Sequence, residues 1–573
     1  MLRLSGIPAS PGVALGTAVL VVPSGTEAAQ CGRAILPDEV GAELARFERA
    51  LQVSSEELLR LWQDMLSKVG KEQAAIFEAQ RMMLLDPTLK ALVESHIKEE
   101  LVSAERAASL ACEEQAKVLE TIDDPYLAAR AADLRDIGKR LVRNLTGGQT
   151  GAMPGELPEK AVIVAPDLTP SDTAALDVRR AVAIVLDKGG RTSHTAILAR
   201  SLGIPAVVGT SDATSVIAPD DTVGVDGTRG EVVVNPEEEE LSALREKERA
   251  LTRERERLLS VKDLPAVTRD GKRVEIAANI GNVEDAYLAL QAGAEGVGLF
   301  RTEFLFLDRL AMPSEEEQFE AYKKVLSAFA PRPVVIRTLD VGGDKPLPYL
   351  DMPKEDNPFL GLRAVRLCLS RRDLFRTQLR ALLRASVFGN LRIMFPMISG
   401  LAELKEAKAV LEDARAELAE AGAHVSPDIQ VGIMVEIPSA AVDADILAPE
   451  CDFFSIGTND LVQYTLACDR GNPSVAHLSD PFAPAVLRLI KRTIDEGHKR
   501  GIWVGMCGEM AGMPEAIPLL LAMGLDEFSM SAGAIPRAKE IVRRQSVREL
   551  EALWDQVKNL GTGQEIRRRL ERL

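Results

Sequence analysis

Apolar and polar positions change rhythm several times along the chain. Val13 to Val22 is a short β-like segment near the N-terminus. From about residue 36 to 147 the rhythm is helical, and Leu44, Phe47, Leu51, Leu58, Leu59 and Trp62 recur at helical spacing with few glycines between them. Lys71–Leu85 and Ala104–Ile122 continue as amphipathic helices, with a break at Asp124-Pro125. Residues 150–235 return to short Val/Ile runs separated by Pro and Gly turns, an α/β pattern. A helical block between two α/β pieces predicts an all-helical insert in an α/β domain. Residues 236–262 are highly charged, with one apolar stripe of Leu241, Leu244, Leu251, Leu258 and Leu259. That pattern predicts a solvated helix joining two bodies, with hinges at its ends.

Beyond residue 263 the pattern is regular. Eight apolar runs predict strands: Val274–Ala278, Gly296–Phe300, Val334–Ile336, Leu391–Phe395, Ile429–Val435, Phe453–Ile456, Ile502–Met506 and Glu527–Met530. Helical segments such as Pro313–Phe329 and Leu401–Ala421 lie between them. Eight β/α units in roughly 310 residues fit a (β/α)8 barrel. The predicted architecture is therefore α/β and multidomain: a C-terminal barrel preceded by an α/β domain that carries a helical insert.

Barrel enzymes place their chemistry where the strands end. At those ends stand Asn279, Arg301 and Glu303, Arg337 and Asp340, Glu436, Asn459 and Asp460, Cys507 and Glu509, and Ser529 and Ser531. Caps and loop polars explain one or two such residues but not this convergence. Arginine forks match phosphate and carboxylate oxygens, so Arg301 and Arg337, with Arg470 in the loop after Asp460, suit a small multiply charged anion. Glu436 and Asp460 suit Mg²⁺, which takes oxygen ligands and shares its shell with phosphate and water. Cys507, between Met506 and Gly508 and just past a strand, is expected to have an exposed role, whereas Cys451 and Cys468 read as core thiols.

A second candidate centre lies earlier, at Gly189-Gly190-Arg191-Thr192-Ser193-His194-Thr195. It follows the apolar run Ala181–Leu186 and precedes a helical start at Ala196. The glycines permit a tight turn, which brings His194 to a helix N-terminus, a setting that favours a bound anion such as a phosphoryl group. The same turn also suits a structural histidine, and the loop alone does not choose between the two. The other four histidines (His96, His424, His477, His498) have no comparable setting.

The net charge of −17 argues against nucleic acid or anionic lipid as a partner. The N-terminus lacks a signal-peptide apolar region, and no apolar run is long enough to span a bilayer. The six cysteines are scattered without a Cys-x-x-Cys pair, which points to a reducing, cytoplasmic setting.

The histidine loop together with Asp452-Phe453-Phe454-Ser455-Ile456-Gly457-Thr458-Asn459-Asp460-Leu461 resembles enzyme I of the bacterial sugar phosphotransferase system, the phosphoenolpyruvate–protein phosphotransferases. Ser10-Pro11-Gly12, Gly298–Leu305 and Gly505–Glu509 are similar to that family too, and the likeness runs from near Gly6 to about Ser531. The resemblance implies transfer of phosphate from phosphoenolpyruvate to His194 (at Nε2) and then to a histidine of the small carrier HPr. It implies phosphoenolpyruvate binding by Arg301, Arg337, Asn459, Asp460 and Arg470, Mg²⁺ ligation by Glu436 and Asp460, and protonation of enolpyruvate by Cys507. It also implies a division into residues 1–24 with 147–235 (phosphohistidine domain), 25–146 (HPr-binding subdomain), 236–262 (linker) and 263–573 (barrel, with dimerisation). A domain swing that carries His194 between donor and acceptor follows from the separation of the two centres in sequence. The rivals are a dikinase or phosphoenolpyruvate synthase type, disfavoured because no Gly-rich nucleotide loop precedes the histidine, and a non-catalytic HPr-binding regulator, disfavoured because every motif position is intact.

Overall fold

The computed structural model describes residues 1–21, 33–69, 71–121, 125–147, 157–174, 176–177, 179–191, 193–307, 309–342, 347, 349–350 and 355–572. They form two compact units, Met1–Arg255 and Glu256–Leu573.

In the first unit, runs of β-branched residues build one eight-stranded sheet. Its strands are β1 (Leu2–Ser5), β2 (Ile7–Ser10), β3 (Val13–Leu20), β4 (Ala161–Ala165), β5 (Ala181–Leu186), β6 (Ala206–Val208), β7 (Thr222–Asp226) and β8 (Glu231–Val234), in the order β1-β8-β7-β3-β4-β5-β6-β2. The β3-β4-β5-β6 stretch is parallel. Alternate residues of β4 and β5 feed two apolar layers, with Ile163, Ile184 and Leu186 on one face and Val162, Val164 and Val185 on the other. A sheet covered on both faces needs near-continuous apolar strands, which is what these runs supply. The sequence pattern missed β1 and β2. Both are short edge strands, and Leu2 and Ile7 stay 43% and 40% exposed, so neither leaves a strong apolar signal.

Among the described residues, five helices lie between β3 and β4: Val40–Val69, Lys71–Leu84, Pro87–Glu99, Ala104–Glu120 and Pro125–Leu145. Asp124 of the expected break lies outside the described residues, and Pro125 opens the last helix, where its missing N–H costs nothing. Ala104, Ala107, Ala108 and Ala111 form a buried stripe of small side chains on the fourth helix, so neighbouring helices approach closely. Gly138 of the fifth helix meets Cys112 of the fourth, where an added Cβ would sit 3.0 Å from Cys112 Cβ. Buried Phe47, Leu58, Phe77 and Leu141 fill the remaining core, each contributing about 1.5–3 kcal/mol by burial.

The helix Glu238–Val261 follows β8, and the boundary between the two units falls inside it. Of its expected apolar stripe only Leu244 is buried, seated on Gly224 of β7, while Leu251 and Leu259 are exposed.

The second unit is a closed parallel barrel. Its strands are β9 (Glu275–Ile280), β10 (Val297–Phe300), β11 (Pro333–Arg337), β12 (Asn390–Phe395), β13 (Gln430–Val435), β14 (Phe453–Ile456), β15 (Trp503–Met506) and β16 (Glu527–Met530), and β16 pairs with β9 to close the ring. All eight lie within two residues of the apolar runs. The interior contains ionisable side chains that the strand pattern concealed. Glu527 is fully buried, and Arg392 lies 4.5 Å from the Trp503 ring, which stacks on Phe453. Gly298 and Gly505 make this possible, since a Cβ on either would come within about 2 Å of a Glu527 oxygen.

Candidate active site

Strand ends of the barrel line a cavity of about 290 Å³. Arg301, Arg337, Glu436, Asn459, Asp460, Arg470 and Cys507 all face it. The barrel brings them together because each stands at the end of a parallel strand or in the connection after one, at the same end of the ring. Asn459 and Asp460 sit in the first turn of the helix Thr458–Leu466, where carboxylates are favoured.

Buried Arg337 is the hub. It ion-pairs with Glu303 at 2.8 Å and with Asp340 at 2.8 Å. Burial opposes its charge, but Glu303, Asp340 and Glu436 outweigh that and hold the guanidinium above its ordinary pKa. Asp340 also pairs with Arg363 Nε at 3.1 Å, and Arg363 Nη2 reaches Asp460 Oδ2 at 3.3 Å and Nη1 the Tyr464 hydroxyl at 3.2 Å. Arg337, Arg363, Glu303 and Asp340 are thus each met by a partner of opposite charge, as burial demands.

Three groups are left open toward the cavity. Among the described residues, the guanidinium groups of Arg301 and Arg470 make no hydrogen bond or ion pair, and both residues are exposed. Asp460 Oδ1 is buried with no hydrogen-bond partner. Glu436 Oε1 accepts from the Met397 N–H at 2.6 Å, and Gly457 leaves room beside Glu436 Oε2, where a Cβ would lie 3.1 Å away. Burial, and then the charges of Asp460 and Asp340, push the Glu436 carboxyl above the usual carboxylate range. An orphaned carboxylate oxygen beside a second buried carboxyl is a donor set that fits a hard divalent cation. Among the described residues no cluster of three or more such side chains exists, so the remaining ligands of that cation would be water and substrate oxygens.

Cys507 is 4% exposed, against the expectation of an exposed role. It sits in an apolar ring of Leu299, Val335, Met394, Met434 and Phe453 that plugs the barrel beneath the cavity. Burial pushes its thiol up to about 12, so it carries its proton at neutral pH.

Sequence reasoning missed Arg363, which lies deep in the connection after β11. Its one local sign is its position just before Ala364-Val365, where the helix Val365–Ser370 opens.

His194 belongs to the other unit. It is the first residue of the helix His194–Leu202, capped by Ser193 Oγ, which accepts from Ala196 N at 3.3 Å. Gly189 takes φ +101°, the conformation the turn after β5 requires. Leu198 of this helix joins the core of the helical insert, while Ala196 and Ala199 join the sheet's. The histidine helix is therefore wedged between sheet and insert. Thr195 Oγ1 donates to Leu168 O at 2.8 Å and fixes its first turn.

A parallel barrel with arginines and carboxylates at its mouth, and a separate α/β unit presenting a histidine at a helix start, define a phosphoenolpyruvate-utilising enzyme. Family models agree along the chain: "PEP-utilising enzyme, N-terminal" matches residues 5–130, "PEP-utilising enzyme, mobile domain" 157–230 and "PEP-utilising enzyme, PEP-binding domain" 255–547. The phosphoenolpyruvate-protein phosphotransferase of Haemophilus influenzae is 48% identical over 99% of this chain and 98% of its own length. Those of Staphylococcus carnosus (48%, covering 98% of each chain) and Bacillus sp. strain S (49%, covering 98% of this chain and 96% of its own) are as similar. The chain belongs to the phosphoenolpyruvate-protein phosphotransferase family of enzymes. Among the described residues no helix is long and apolar enough to cross a membrane.

Proposed function

We propose that the barrel binds phosphoenolpyruvate with Mg²⁺, that His194 Nε2 takes the phosphoryl group, and that a histidine of HPr receives it next. The observation that carries this reading is the pair of unpartnered guanidinium groups, Arg301 and Arg470, beside the orphaned Asp460 Oδ1. Four arginines (Arg301, Arg337, Arg363, Arg470) line the cavity against four carboxylates (Asp340, Glu436, Asp460, Glu509). The lining is close to neutral, so a ligand carrying a phosphate of about −2 and a carboxylate needs further positive charge. Glu436 and Asp460 would hold Mg²⁺, which would supply that charge and polarise the phosphoryl oxygens.

In this reading Arg301, Arg337, Asn459 and Arg470 orient the substrate. The neutral imidazole attacks phosphorus as the bond to the enol oxygen breaks. Cys507 gives its proton to C3 of enolpyruvate, forming pyruvate, and the thiolate regains a proton from solvent. The helix start at His194 then stabilises the phosphoryl charge. The insert, residues 25–146, receives HPr, and Leu198 of the neighbouring helix His194–Leu202 packs into its core. Residues 1–24 with 147–235 act as the phosphohistidine domain, and 236–262 as the linker about which it swings. The barrel, 263–573, also forms the homodimer, and the enzyme works in the cytoplasm. The five described cysteines are free thiols, in keeping with a reducing compartment; Cys31 lies outside the described residues.

The test is labelling with [³²P]phosphoenolpyruvate and Mg²⁺, with and without HPr. Label should appear on the wild-type chain, pass to HPr, and be absent from His194→Ala. Label on His194→Ala overturns the acceptor assignment. Chelation by EDTA should abolish labelling, and full labelling in EDTA overturns the Mg²⁺ assignment.

A further inference from the structure

Asn279 at the end of β9 is not among the residues that line the cavity. Its side chain crosses beside β16 and reaches β15's end. Asn279 Nδ2 donates to Cys507 O at 2.9 Å and to Ser529 O at 3.4 Å, and Ser529 Oγ donates to Asn279 Oδ1 at 2.7 Å. Both carbonyl oxygens only accept, so the amide's NH2 must face them. The ladder between β15 and β16 stops at Met506↔Phe528, which leaves the Cys507 carbonyl without a strand partner on that side. On the other side Cys507 N donates to Ile456 O of β14 at 3.1 Å. The backbone that carries the thiol is therefore clamped by a strand on one flank and by one amide side chain on the other.

We infer that Asn279, oriented by Ser529, is a positioning residue that aims the Cys507 thiol at C3 of enolpyruvate. This rests on the reading of Cys507 as the proton donor. The clamp fixes the peptide and so the Cα–Cβ vector, and a displacement of ~1 Å at a reacting group costs about a hundredfold in rate. Enolpyruvate that waits that long leaves and ketonises in water without facial preference. Losing the clamp should therefore uncouple stereospecific protonation from phosphoryl transfer, a split that general destabilisation does not produce.

The experiment turns over phosphoenolpyruvate bearing deuterium and tritium in defined geometry at C3 and reads the chirality of the pyruvate methyl group. Wild type should give one enantiomer. Asn279→Ala and Asn279→Asp (which keeps the acceptor but lacks the NH2 donor) should give nearly racemic methyl. Both should keep the KM for phosphoenolpyruvate and the single-turnover labelling of His194 within about threefold. Ser529→Ala should give a partial loss. Wild-type chirality in both Asn279 variants overturns the inference, as does parallel loss of chirality, labelling and substrate affinity. Should an Asn279 variant fail to fold, full chirality in Ser529→Ala overturns it. The Cys507→Ala arm separates the two claims: retained chirality there overturns the proton-donor reading itself, whereas racemic Cys507→Ala beside chiral Asn279→Ala overturns only the clamp.

Discussion

The barrel mouth and the histidine loop are built on opposite principles. At the mouth, buried Arg337, Asp340, Arg363, Glu436 and Asp460 fix one another, and few side chains can move alone. In the loop, the described contacts are local and mostly neutral: the turn at Gly189, the Ser193 cap, and Thr195 on a backbone carbonyl. A site that binds one small multiply charged substrate gains from preorganised charge. A phosphoryl acceptor that must hand its group on gains from the opposite, since tight local ion pairs would trap the phosphate. In the proposed reading, the donor site is preorganised by buried charge, whereas the acceptor relies on helix-start geometry.

The largest effect expected is on the reactivity of Cys507, because it titrates within the mouth. Its thiol is pushed up to about 12 by burial, against about 8.5 for an ordinary cysteine. At pH 8 its thiolate fraction is then roughly a thousandfold lower. Alkylation of Cys507 by iodoacetamide, followed by peptide mass spectrometry, should rise tenfold per pH unit through pH 10 without levelling. A plateau between pH 8.5 and 9.5 would show that the mouth does not suppress the charge of its own thiol.

Next is Arg337→Ala. It strands Glu303 and removes one of the two arginines paired with Asp340, Arg363 being the other. Removing one partner of a buried pair costs about 3–5 kcal/mol. Chemical denaturation should register that loss in the barrel's unfolding transition, along with loss of phosphoenolpyruvate-dependent labelling. Arg301→Ala should cost substrate affinity while leaving the transition unmoved, since Arg301 is exposed and holds no protein carboxylate. Equal destabilisation by the two variants would erase the distinction between hub and open cation.

The two regions also differed in how far their letters could be read. Barrel strands such as Phe453–Ile456 and Glu527–Met530 were legible because buried parallel strands must be apolar, and their C-terminal ends had to be where polar residues gather. Arg363 was not, because its place at the mouth depends on the path of a long connection that carries no periodic signal. Glu527 was hidden for another reason: Gly298 and Gly505, on different strands, create its space, and no local window contains all three. The burial of Cys507 went unseen likewise, since the apolar ring around it is assembled from five other strands. In the first unit the loop 187–194 was legible, being a local strand–turn–helix device. The wedging of Leu198 into the helical insert was not, because it joins segments more than a hundred residues apart.

Gly189→Ala tests the loop's backbone. At φ +101° a side chain is strained by about 1–3 kcal/mol, while space is adequate, the nearest atom to an added Cβ being Ser193 Oγ at 3.4 Å. The first unit should lose thermal stability and the rate of His194 labelling should fall, with phosphoenolpyruvate affinity unchanged. A fall in substrate affinity would mean that the two centres are not energetically separate.

The smallest effect is expected from Ser193→Ala. Ser193 Oγ is the side-chain cap of the histidine helix, accepting from Ala196 N. Loss of such a cap costs about 1 kcal/mol, far less than Arg337→Ala. Yet it frees one N–H at the very helix end that the phosphoryl group is proposed to use. If helix-start donors stabilise phosphohistidine, the freed donor should leave the phosphoenzyme no more than about threefold less stable to hydrolysis. The lifetime of ³²P-labelled protein at neutral pH, compared between wild type and Ser193→Ala, measures this. A tenfold or greater drop in lifetime would show that the serine hydroxyl itself holds the phosphate, and the acceptor loop would then resemble the mouth in relying on a dedicated side chain.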